Sequence, residues 1–390
     1  MIPYSRQTIN LFDVLSVSKQ LAFKSLTQGA KIEEFEAKIA EYVGAKYAVS
    51  VSSATAGLHL AVLALGLPVD SEIITSPISF VASSNAILYS GHRPIFVDVE
   101  RDTINVDVSL IAQEISLNRK VRAVIPVHFA GLPCNMRKLS EVLATKEVKV
   151  IEDAAHAFGA TYPNGAKVGS CEHSDMTVFS FHPVKSMTTG EGGIITTNSI
   201  ELYRRLLRLR SHGINKLDDS FESHILSSTN GITNPWYYEM QELGYNYRLT
   251  EIQAALGISQ LQRINSLIKQ RNDKAKLYKQ YFSKSRFVRP AQSVDNESSA
   301  HHIFPVRINF SNTGISRAKL MNSLKSKGIG SQVHYIPIPM HPFYQKLGYK
   351  MDNLPESLSY YFESLSIPLY PRLKRTQQLK VIKAINSFLE

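Results

Sequence analysis

Short apolar runs rich in β-branched residues alternate with stretches of helical periodicity between residues 46 and 197. Strands are predicted at 46–51, 72–75, 94–99, 121–127, 148–152, 176–181 and 193–197. Strands that are buried on both faces of a sheet read as nearly continuous apolar runs, and VIPV and VKVI come close to this. Between the runs, apolar residues fall at helical spacing. The pattern predicts an α/β domain built on a mainly parallel sheet.

The flanking segments predict an arm and a second, smaller unit. Residues 1–30 form a mixed polar arm, 215–242 is a long polar region, and 250–283 is helical throughout by periodicity. Near residue 300 and beyond, the strand-like runs HIFPVRINF and GSQVHYIPI flank a helical pattern, and a further helix ends the chain. The expected organisation is an N-terminal arm (1–30), a large domain (31–250), and a connecting helix with a small α/β C-terminal domain (251–390).

Size and composition fit a globular protein of two domains. A chain of 390 residues exceeds what one hydrophobic core usually organises. No apolar run reaches the roughly 18 residues that span a bilayer, and the opening MIPYSRQTIN lacks the apolar core of a signal peptide. The two cysteines, Cys134 and Cys171, make no disulfide framework and lack metal-ligand spacing. We expect a soluble, cytoplasmic protein with no metal site.

The net charge of +11 raises the question of nucleic-acid binding. The 44 Lys and Arg residues are spread along the chain, and no helix-turn-helix, zinc-finger or RNP-like pattern accompanies them. Solvated basic faces, with some attraction for a phosphorylated small molecule, account for the charge better. We therefore expect neither a nucleic-acid nor a membrane partner.

Motifs of several common enzyme classes are absent from the sequence. It contains no phosphate loop, no G-x-G-x-x-G, no H-E-x-x-H, no C-x-x-C and no G-x-S-x-G. Nucleotide hydrolysis, simple Rossmann dehydrogenation, zinc hydrolysis and serine-esterase chemistry are disfavoured accordingly.

Two segments place ionisable side chains at the ends of predicted strands, where open α/β sheets bind ligands. In VKVIEDAAHAFGA, Asp153 follows a buried strand and His156 lies about one turn later; a helix N-cap is the alternative role for Asp153. In TVFSFHPVKSMTTGEGG, Lys185 lies five residues beyond Ser180 among apolar neighbours. Desolvation lowers the pKa of an amine, which Schiff-base chemistry requires.

Two further segments suit the other parts of a flat, phosphorylated ligand. AVSVSSATAGLHL has small residues between a strand and a helix, so that a phosphate could approach backbone N–H groups near Ser53 and Thr55. Ordinary capping of that helix is the alternative. In TSPISFVASSNAI, Phe80 is either a core aromatic or a surface on which a ring could stack. A phosphate cradle, an aromatic ring, a buried acid and a lysine together suit pyridoxal 5′-phosphate (PLP).

At these residues the chain resembles the DegT/DnrJ/EryC1/StrS sugar aminotransferases. The resemblance lies in SSAT, SPISF, EDAAHA, SFHPVK, TTGEGG and LGYNYRLTEIQAALG, in that order, and extends from LTQG (26–29) to SLSIPLYPRL (364–373). It implies a fold-type I PLP-dependent transferase, aspartate-aminotransferase-like, with a seven-stranded sheet. It also implies a homodimer with shared active sites.

Carried over by motif, the resemblance assigns roles to individual residues. Lys185 would bind PLP covalently and move protons, Asp153 would pair with the ring nitrogen, and His156 would approach the phenolic oxygen. Phe80 would stack on the ring. The phosphate would be held by Ser53, Ala54, Thr55 and Ser180, joined by Asn246 of a second subunit. The pocket for the sugar nucleotide would be lined by Tyr4, Lys24, Ser25, Leu26, Thr27, Gln332, His334 and Tyr335.

Within the family, WYYEMQELGYNYRLTEIQ and QVHYIPIPMHPFY most resemble enzymes that aminate a UDP-linked 4-keto sugar on the route to pseudaminic acid. The implied reaction is a ping-pong transamination with L-glutamate as donor and 2-oxoglutarate as product. Alternatives are the same chemistry on a perosamine- or 4-amino-arabinose-type substrate, a sugar dehydratase, or a non-catalytic regulator. A dehydratase relative would carry histidine at the position of Lys185, and a regulator would have lost the lysine or the acid.

The sequence departs from the family pattern at two places. Where N-S-A-T-S-A is expected, the chain has SSATAG over residues 52–57, and Ser186 and Met187 replace bulkier or aliphatic residues after the lysine. These changes affect expectations about cofactor affinity and the exact sugar, and they leave the core roles of Lys185 and Asp153 intact.

Overall fold

A computed structural model of the protein describes residues 1–216, 221–294 and 298–389. The helices are α1 (Leu11–Phe23), α2 (Ala30–Val43), α3 (Ala54–Ala64), α4 (Ala82–Tyr89), α5 (Val108–Leu117), α6 (Met136–Leu143), α7 (Ile200–Arg210), α8 (His224–Ser227), α9 (Glu251–Leu261), α10 (Ile264–Phe282), α11 (Phe310–Thr313), α12 (Arg317–Ser326), α13 (Pro342–Lys346), α14 (Pro355–Glu363) and α15 (Arg375–Leu389). The strands are β1 (Tyr47–Val51), β2 (Glu72–Thr75), β3 (Arg93–Phe96), β4 (Val121–Ile125), β5 (Lys149–Asp153), β6 (Met176–Ser180), β7 (Gly193–Thr197), β8 (Ile214–Asn215), β9 (Ser228–Thr229), β10 (Ile232–Thr233), β11 (Glu239–Met240), β12 (Val288–Pro290), β13 (Phe304–Ile308) and β14 (Ser364–Ile367).

The central sheet has seven strands in the order β1-β7-β6-β5-β4-β2-β3. The strands from β6 to β3 run parallel, and β7 is antiparallel to both β6 and β1. All seven predicted strands form this sheet, although those predicted at 94–99 and 121–127 end earlier, at Phe96 and Ile125. The prediction of a mainly parallel, seven-stranded sheet is confirmed.

Helices cover both faces of the central sheet. Neighbouring residues of β5 illustrate this, because Val150 packs into a cluster with Phe158 and Phe179, whereas Ile151 packs into another with Leu58 and neighbouring α3 residues. Strands enclosed in this way leave the ends of the sheet as the places where polar side chains meet.

A second, antiparallel sheet, β12-β13-β14, lies towards the C-terminus. Its core joins residues of the sheet to α10, α12 and α15, including Tyr278, Phe304, Leu320 and Val381. The strand predicted for GSQVHYIPI is wrong. Only Gln332 makes a bridge, to Ser366, and Ile338–Met340 is a 3₁₀ helix. Proline lacks the N–H that a strand ladder uses, and this run contains Pro337 and is followed directly by Pro339.

The predicted polar arm contains a helix. α1 begins with a capping box between Asn10 and Asp13, and the buried carboxylate of Asp13 accepts a hydrogen bond from Ser259 at 2.7 Å. The prediction of continuous helix over 250–283 is also corrected, because the chain there forms α9 and α10. Residues 217–220 of the predicted polar region lie outside the described residues. The division at residues 30 and 250 stays a prediction.

Among the described residues, no helix combines the length and the apolar character that crossing a membrane requires.

Candidate active site

Several strand ends and one helix N-terminus surround a cavity of about 400 Å³. β5 ends at Asp153, β6 ends at Ser180, and α3 begins at Ala54 beside them. The residues that line the cavity are Tyr4, Ser53, Ala54, Thr55, Leu58, Ser79, Phe80, Ala82, Val127, Asp153, Ala155, His156, Ser180, His182, Val184, Lys185, Glu191, Gly192, His302, His334 and Tyr335. The cavity lies where a parallel sheet is expected to bind its ligand.

Asp153 is a buried carboxylate with fixed orientation. The hydroxyl of Ser83 donates to Oδ2 at 2.6 Å, and the backbone N–H of Ala155 donates to Oδ1 at 3.1 Å. Turns, and no α-helix, follow Asp153, so the alternative role as a helix N-cap is excluded. A buried acid with two hydrogen bonds still has acceptor capacity for a ligand in the cavity.

Lys185 lies in the loop between β6 and β7. Its N–H donates to the carbonyl of His182 at 2.9 Å, which makes a turn, while Ser5 and Arg271 bind the carbonyls of Val184 and Lys185. Burial lowers the pKa of Lys185 to about 8, and Asp153 opposes that shift by its charge. The amine is thus far easier to deprotonate than that of a surface lysine.

The N-terminus of α3 has the features of a phosphate cradle. Ser53 caps it by accepting from the N–H of Ala56 at 3.1 Å, and the first turn carries no acidic residue. A Cβ on Gly193 would lie 2.6 Å from the backbone nitrogen of Ala54, so only glycine permits β7 to approach the cradle this closely. Free N–H groups at a helix start bind anions.

His156 is a buried imidazole beside other aromatic side chains. Its Nε2 lies 2.9 Å from the hydroxyl of Tyr335, and its ring centroid lies 4.4 Å from that of His302. Burial, and then the charge of Lys185, hold the pKa of His156 and of His302 well below the usual range. Burial raises the pKa of Tyr335. These rings are therefore neutral hydrogen-bonding groups at neutral pH.

Phe80 is an aromatic residue that lines the same cavity. Its side chain is 59% exposed and lines the cavity, so the alternative of a core aromatic is excluded. The residues present fit PLP: an amine of lowered pKa, a buried acid, an anion cradle and an exposed aromatic ring face one cavity.

The structure brings together eleven of the predicted site residues and leaves the others outside the cavity. Lining it are Lys185, Asp153, His156, Phe80, Ser53, Ala54, Thr55, Ser180, Tyr4, His334 and Tyr335. Residues 24–27 are exposed between α1 and α2, and Asn246 is exposed on the segment before α9. The side chain of Gln332 is also exposed, although its backbone forms a β-bridge with Ser366. The roles predicted for these outer residues stay predictions.

Three functional candidates were not predicted from the sequence. Ser83 orients Asp153, His302 lines the cavity, and Arg271 binds the carbonyl of Lys185. Ser83 lies three residues after Phe80 within a segment that was already marked, so its hydroxyl could have been found. His302 and Arg271 follow no motif, and only tertiary packing brings them to the site.

Comparison with known proteins matches residues 8–386 to the sequence model of the DegT/DnrJ/EryC1/StrS aminotransferase family. An uncharacterized protein of Methanocaldococcus jannaschii is 36% identical, over 100% of this chain and 97% of its own length. The Bacillus subtilis spore coat polysaccharide biosynthesis protein SpsC is 35% identical, with the same coverage. UDP-4-amino-4,6-dideoxy-N-acetyl-beta-L-altrosamine transaminase of Campylobacter jejuni is 35% identical, over 100% of this chain and 98% of its own length.

Solved structures agree over the whole chain. Helicobacter pylori PseC, an aminotransferase involved in the biosynthesis of pseudoaminic acid, has a TM-score of 0.88 at 30% identity and covers 100% of this chain and 99% of its own. Spr1654 of Streptococcus pneumoniae, a proposed sugar aminotransferase, superposes in its PLP form with a TM-score of 0.87 at 28% identity, covering 100% of this chain and 98% of its own. Its PMP form gives 0.88 at 29% identity, covering 100% and 99%.

Proposed function

Because this chain belongs to the DegT/DnrJ/EryC1/StrS aminotransferase family and is a PLP-dependent sugar transaminase, we propose that it acts on a UDP-linked 4-keto-6-deoxy-N-acetylhexosamine. The substrate would be UDP-2-acetamido-2,6-dideoxy-β-L-arabino-hex-4-ulose, aminated at C4 in the biosynthesis of pseudaminic acid. The observation that carries this choice is the 35% identity to the C. jejuni transaminase along the full chain. The structural similarity of this chain to H. pylori PseC supports the same choice.

A second candidate is the same transamination on another nucleotide-linked 4-keto sugar. The B. subtilis spore coat polysaccharide protein is as similar to this chain as the C. jejuni enzyme is, which favours keeping this candidate. A substrate panel of UDP-, GDP- and dTDP-linked 4-keto sugars separates the two. The proposal expects kcat/KM to be highest for the UDP-linked N-acetyl substrate, and a higher value for a GDP- or dTDP-sugar would contradict it.

The residues of the cavity divide the chemistry among them. When bound, PLP would carry the amino group between substrates and delocalise the negative charge left when a carbon loses its proton. Lys185, with its lowered pKa, would hold the cofactor and take up or return that proton. Asp153, oriented by Ser83, would keep a positive charge on the ring nitrogen. The start of α3 would anchor the phosphate.

The role of Lys185 is tested by Lys185→Ala. We expect no PLP to remain attached after borohydride reduction and denaturation, and no measurable turnover, because the variant has lost both the attachment point and the base. Peptide mapping of the reduced wild-type protein should place PLP at residue 185. Normal turnover of the variant would refute the assignment.

We propose L-glutamate as the amino donor and 2-oxoglutarate as its product. The support is the family's chemistry. The PLP-loaded protein is mixed with each of a panel of amino acids, and the conversion of the cofactor to its amine form is monitored by absorption. Glutamate should give the fastest conversion. Faster conversion by another amino acid would replace glutamate as donor.

We also propose a homodimer whose sites are shared, with Asn246 entering the partner's site. Asn246 is exposed and lies outside the cavity of its own chain, and α1 exposes Leu11, Phe12 and Phe23. Mixing Lys185→Ala with Asn246→Ala subunits tests this, because each mixed dimer would contain one site with both native residues. Activity should rise to about a quarter of the wild-type level for random mixing of a two-fold dimer. No gain over either variant alone would show that Asn246 serves its own chain.

A further inference from the structure

Arg271, on α10, is a buried cation bound by backbone carbonyls. Its side chain is 1% exposed. Nη1 donates to the carbonyls of His301 at 3.4 Å, of His302 at 3.0 Å and of Leu369 at 3.3 Å. Nη2 donates to the carbonyl of Lys185 at 3.2 Å. Burial lowers the pKa of Arg271 to about 10, so the guanidinium remains charged at neutral pH.

Within the described parts of the chain, no carboxylate forms an ion pair with Arg271. Arg307, which is also buried, is in contrast paired with Glu363. Burying a cation without an anionic partner is unfavourable, and an apolar side chain of similar volume would fill the same space without that penalty. Filling space in the core therefore does not explain why this residue is an arginine. The planar fork of guanidinium donors, which can bind several carbonyls at fixed angles, explains it better.

These carbonyls belong to three segments, two of which line the active-site cavity. Lys185 lies in the loop after β6, His302 lines the cavity just before β13, and Leu369 follows β14 of the C-terminal sheet. Two other side chains from outside the loop donate to its carbonyls. The hydroxyl of Ser5 donates to that of Val184 at 3.1 Å, and Nε2 of Gln253 donates to that of Glu191 at 2.8 Å. Arg271 thus joins the backbone of the lysine directly to the C-terminal sheet.

We propose that Arg271 is a positioning residue, which holds the backbone of Lys185 so that its amine stays inside the cavity and which couples that position to the C-terminal sheet. The proposal rests on the role proposed for Lys185. It predicts that loss of the guanidinium loosens the lysine loop specifically, beyond any general loss of stability. Arg271 itself need not touch the cofactor or the substrate.

Hydrogen exchange of the cofactor-free protein tests this without any turnover. In Arg271→Met, amides of residues 182–189 should exchange about tenfold faster, which is the effect of roughly one net hydrogen bond. The matched control is Arg307→Met. Arg307 is also buried, but it binds Glu363, Ser359 and the carbonyl of Arg101 away from the cavity. The control should leave exchange at residues 182–189 at the wild-type rate.

The pH dependence of PLP capture gives a second readout. A loosened loop admits water to Lys185, so the midpoint of capture should move upward from about 8 in Arg271→Met and stay in place in Arg307→Met. If Arg271→Met does not fold, Arg271→Lys, which keeps the charge and loses the fork, is compared with Arg307→Lys in the same way.

Wild-type exchange and an unmoved midpoint in the Arg271 variant, with melting temperature lowered as in the control, would reduce Arg271 to a structural residue. Borohydride trapping separates this result from failure of the proposed function. PLP found on another lysine would refute the role of Lys185, whereas the exchange rates would still report whether Arg271 restrains the loop.

Discussion

Ser83 on α4 donates a hydrogen bond of 2.6 Å to Oδ2 of Asp153 at the end of β5, so two elements adjacent to the cavity fix the direction of one buried carboxylate. The N–H of Ala155 holds the other oxygen at 3.1 Å. The acid therefore meets a ligand already oriented, without reorganising when the ligand binds.

This arrangement predicts different effects for two substitutions. Asp153→Asn removes the charge that would keep the ring nitrogen protonated, and kcat should fall by about ten- to hundredfold, the scale of a charged hydrogen bond. Ser83→Ala leaves the charge but frees its orientation, and kcat should fall by about fivefold. Steady-state kinetics measure both, with circular dichroism as the check on folding. Equal kcat values in Asp153→Asn and wild type would assign the acid to the local turn alone.

Lys185 predicts a pH profile for capture of PLP by the cofactor-free protein. Only the neutral amine attacks a carbonyl, and burial lowers its pKa from 10.5 to about 8. At pH 7 the neutral fraction is then about one tenth, compared with about one in three thousand for an ordinary lysine. The capture rate, followed by absorption, should rise with pH and level off above about 8.

The same measurement on Asp153→Asn tests the direction in which the midpoint of PLP capture moves. Asp153 raises the pKa of Lys185 by its negative charge, so removing that charge in Asp153→Asn should move the midpoint to lower pH. A wild-type midpoint near that of free lysine, or an upward movement in the variant, would contradict the environment described for this amine.

Local patterns in the sequence were enough to predict the central sheet and the residues at its strand ends. Asp153 is the last residue of β5 and Lys185 lies five residues after the end of β6, so the chain itself places both near the edge of the sheet. Arg271 lies in the polar stretch KQRNDK, but helical spacing places it on the same face of α10 as Leu267, Ile268 and Ala275, so periodicity alone marks its position as buried. The carbonyls that it binds lie far away along the chain, and that long-range information is not carried by periodicity.

The buried carboxylate of Glu152, next to Asp153 in β5, predicts a large effect on stability. It accepts hydrogen bonds from Nε2 of His128 at 2.7 Å, from Ser174 at 2.5 Å and from the hydroxyl of Tyr162. Glu152→Ala leaves these donors unpaired in the core, and the free energy of unfolding should fall by about 3–5 kcal/mol. Denaturant unfolding measures this, and Glu141→Ala, at an exposed site on α6, should change it little.

Glu152 should also contribute to acid unfolding. Burial alone would raise the pKa of Glu152, but the hydrogen bond and charge of His128, with Ser174 and Tyr162, outweigh burial and lower it below 4.5. A lowered pKa means that the unfolded chain binds the proton more readily, so the stabilisation is complete above pH 4.5 and is lost as pH falls through the folded value. Glu152→Ala should flatten the pH dependence of stability in that range. An unchanged slope would show that another group dominates.

Gly193 predicts a selective loss of cofactor binding. An added Cβ would lie 2.6 Å from the nitrogen of Ala54 and 2.7 Å from the carbonyl carbon of Ser53, and because both are backbone atoms no side chain can move aside. Gly193→Ala should therefore displace the start of α3 and weaken PLP binding by at least about tenfold, with roughly 1–3 kcal/mol lost in stability. Titration of cofactor-free protein measures the affinity.

Gly348→Ala is the control, since φ there is +88° and nothing lies within 4 Å of the added Cβ. It adds backbone strain of about 1–2 kcal/mol away from the cavity, and PLP affinity should stay at the wild-type value. Equal affinity losses in the two variants would mean that stability, and not the shape of the cradle, governs cofactor binding.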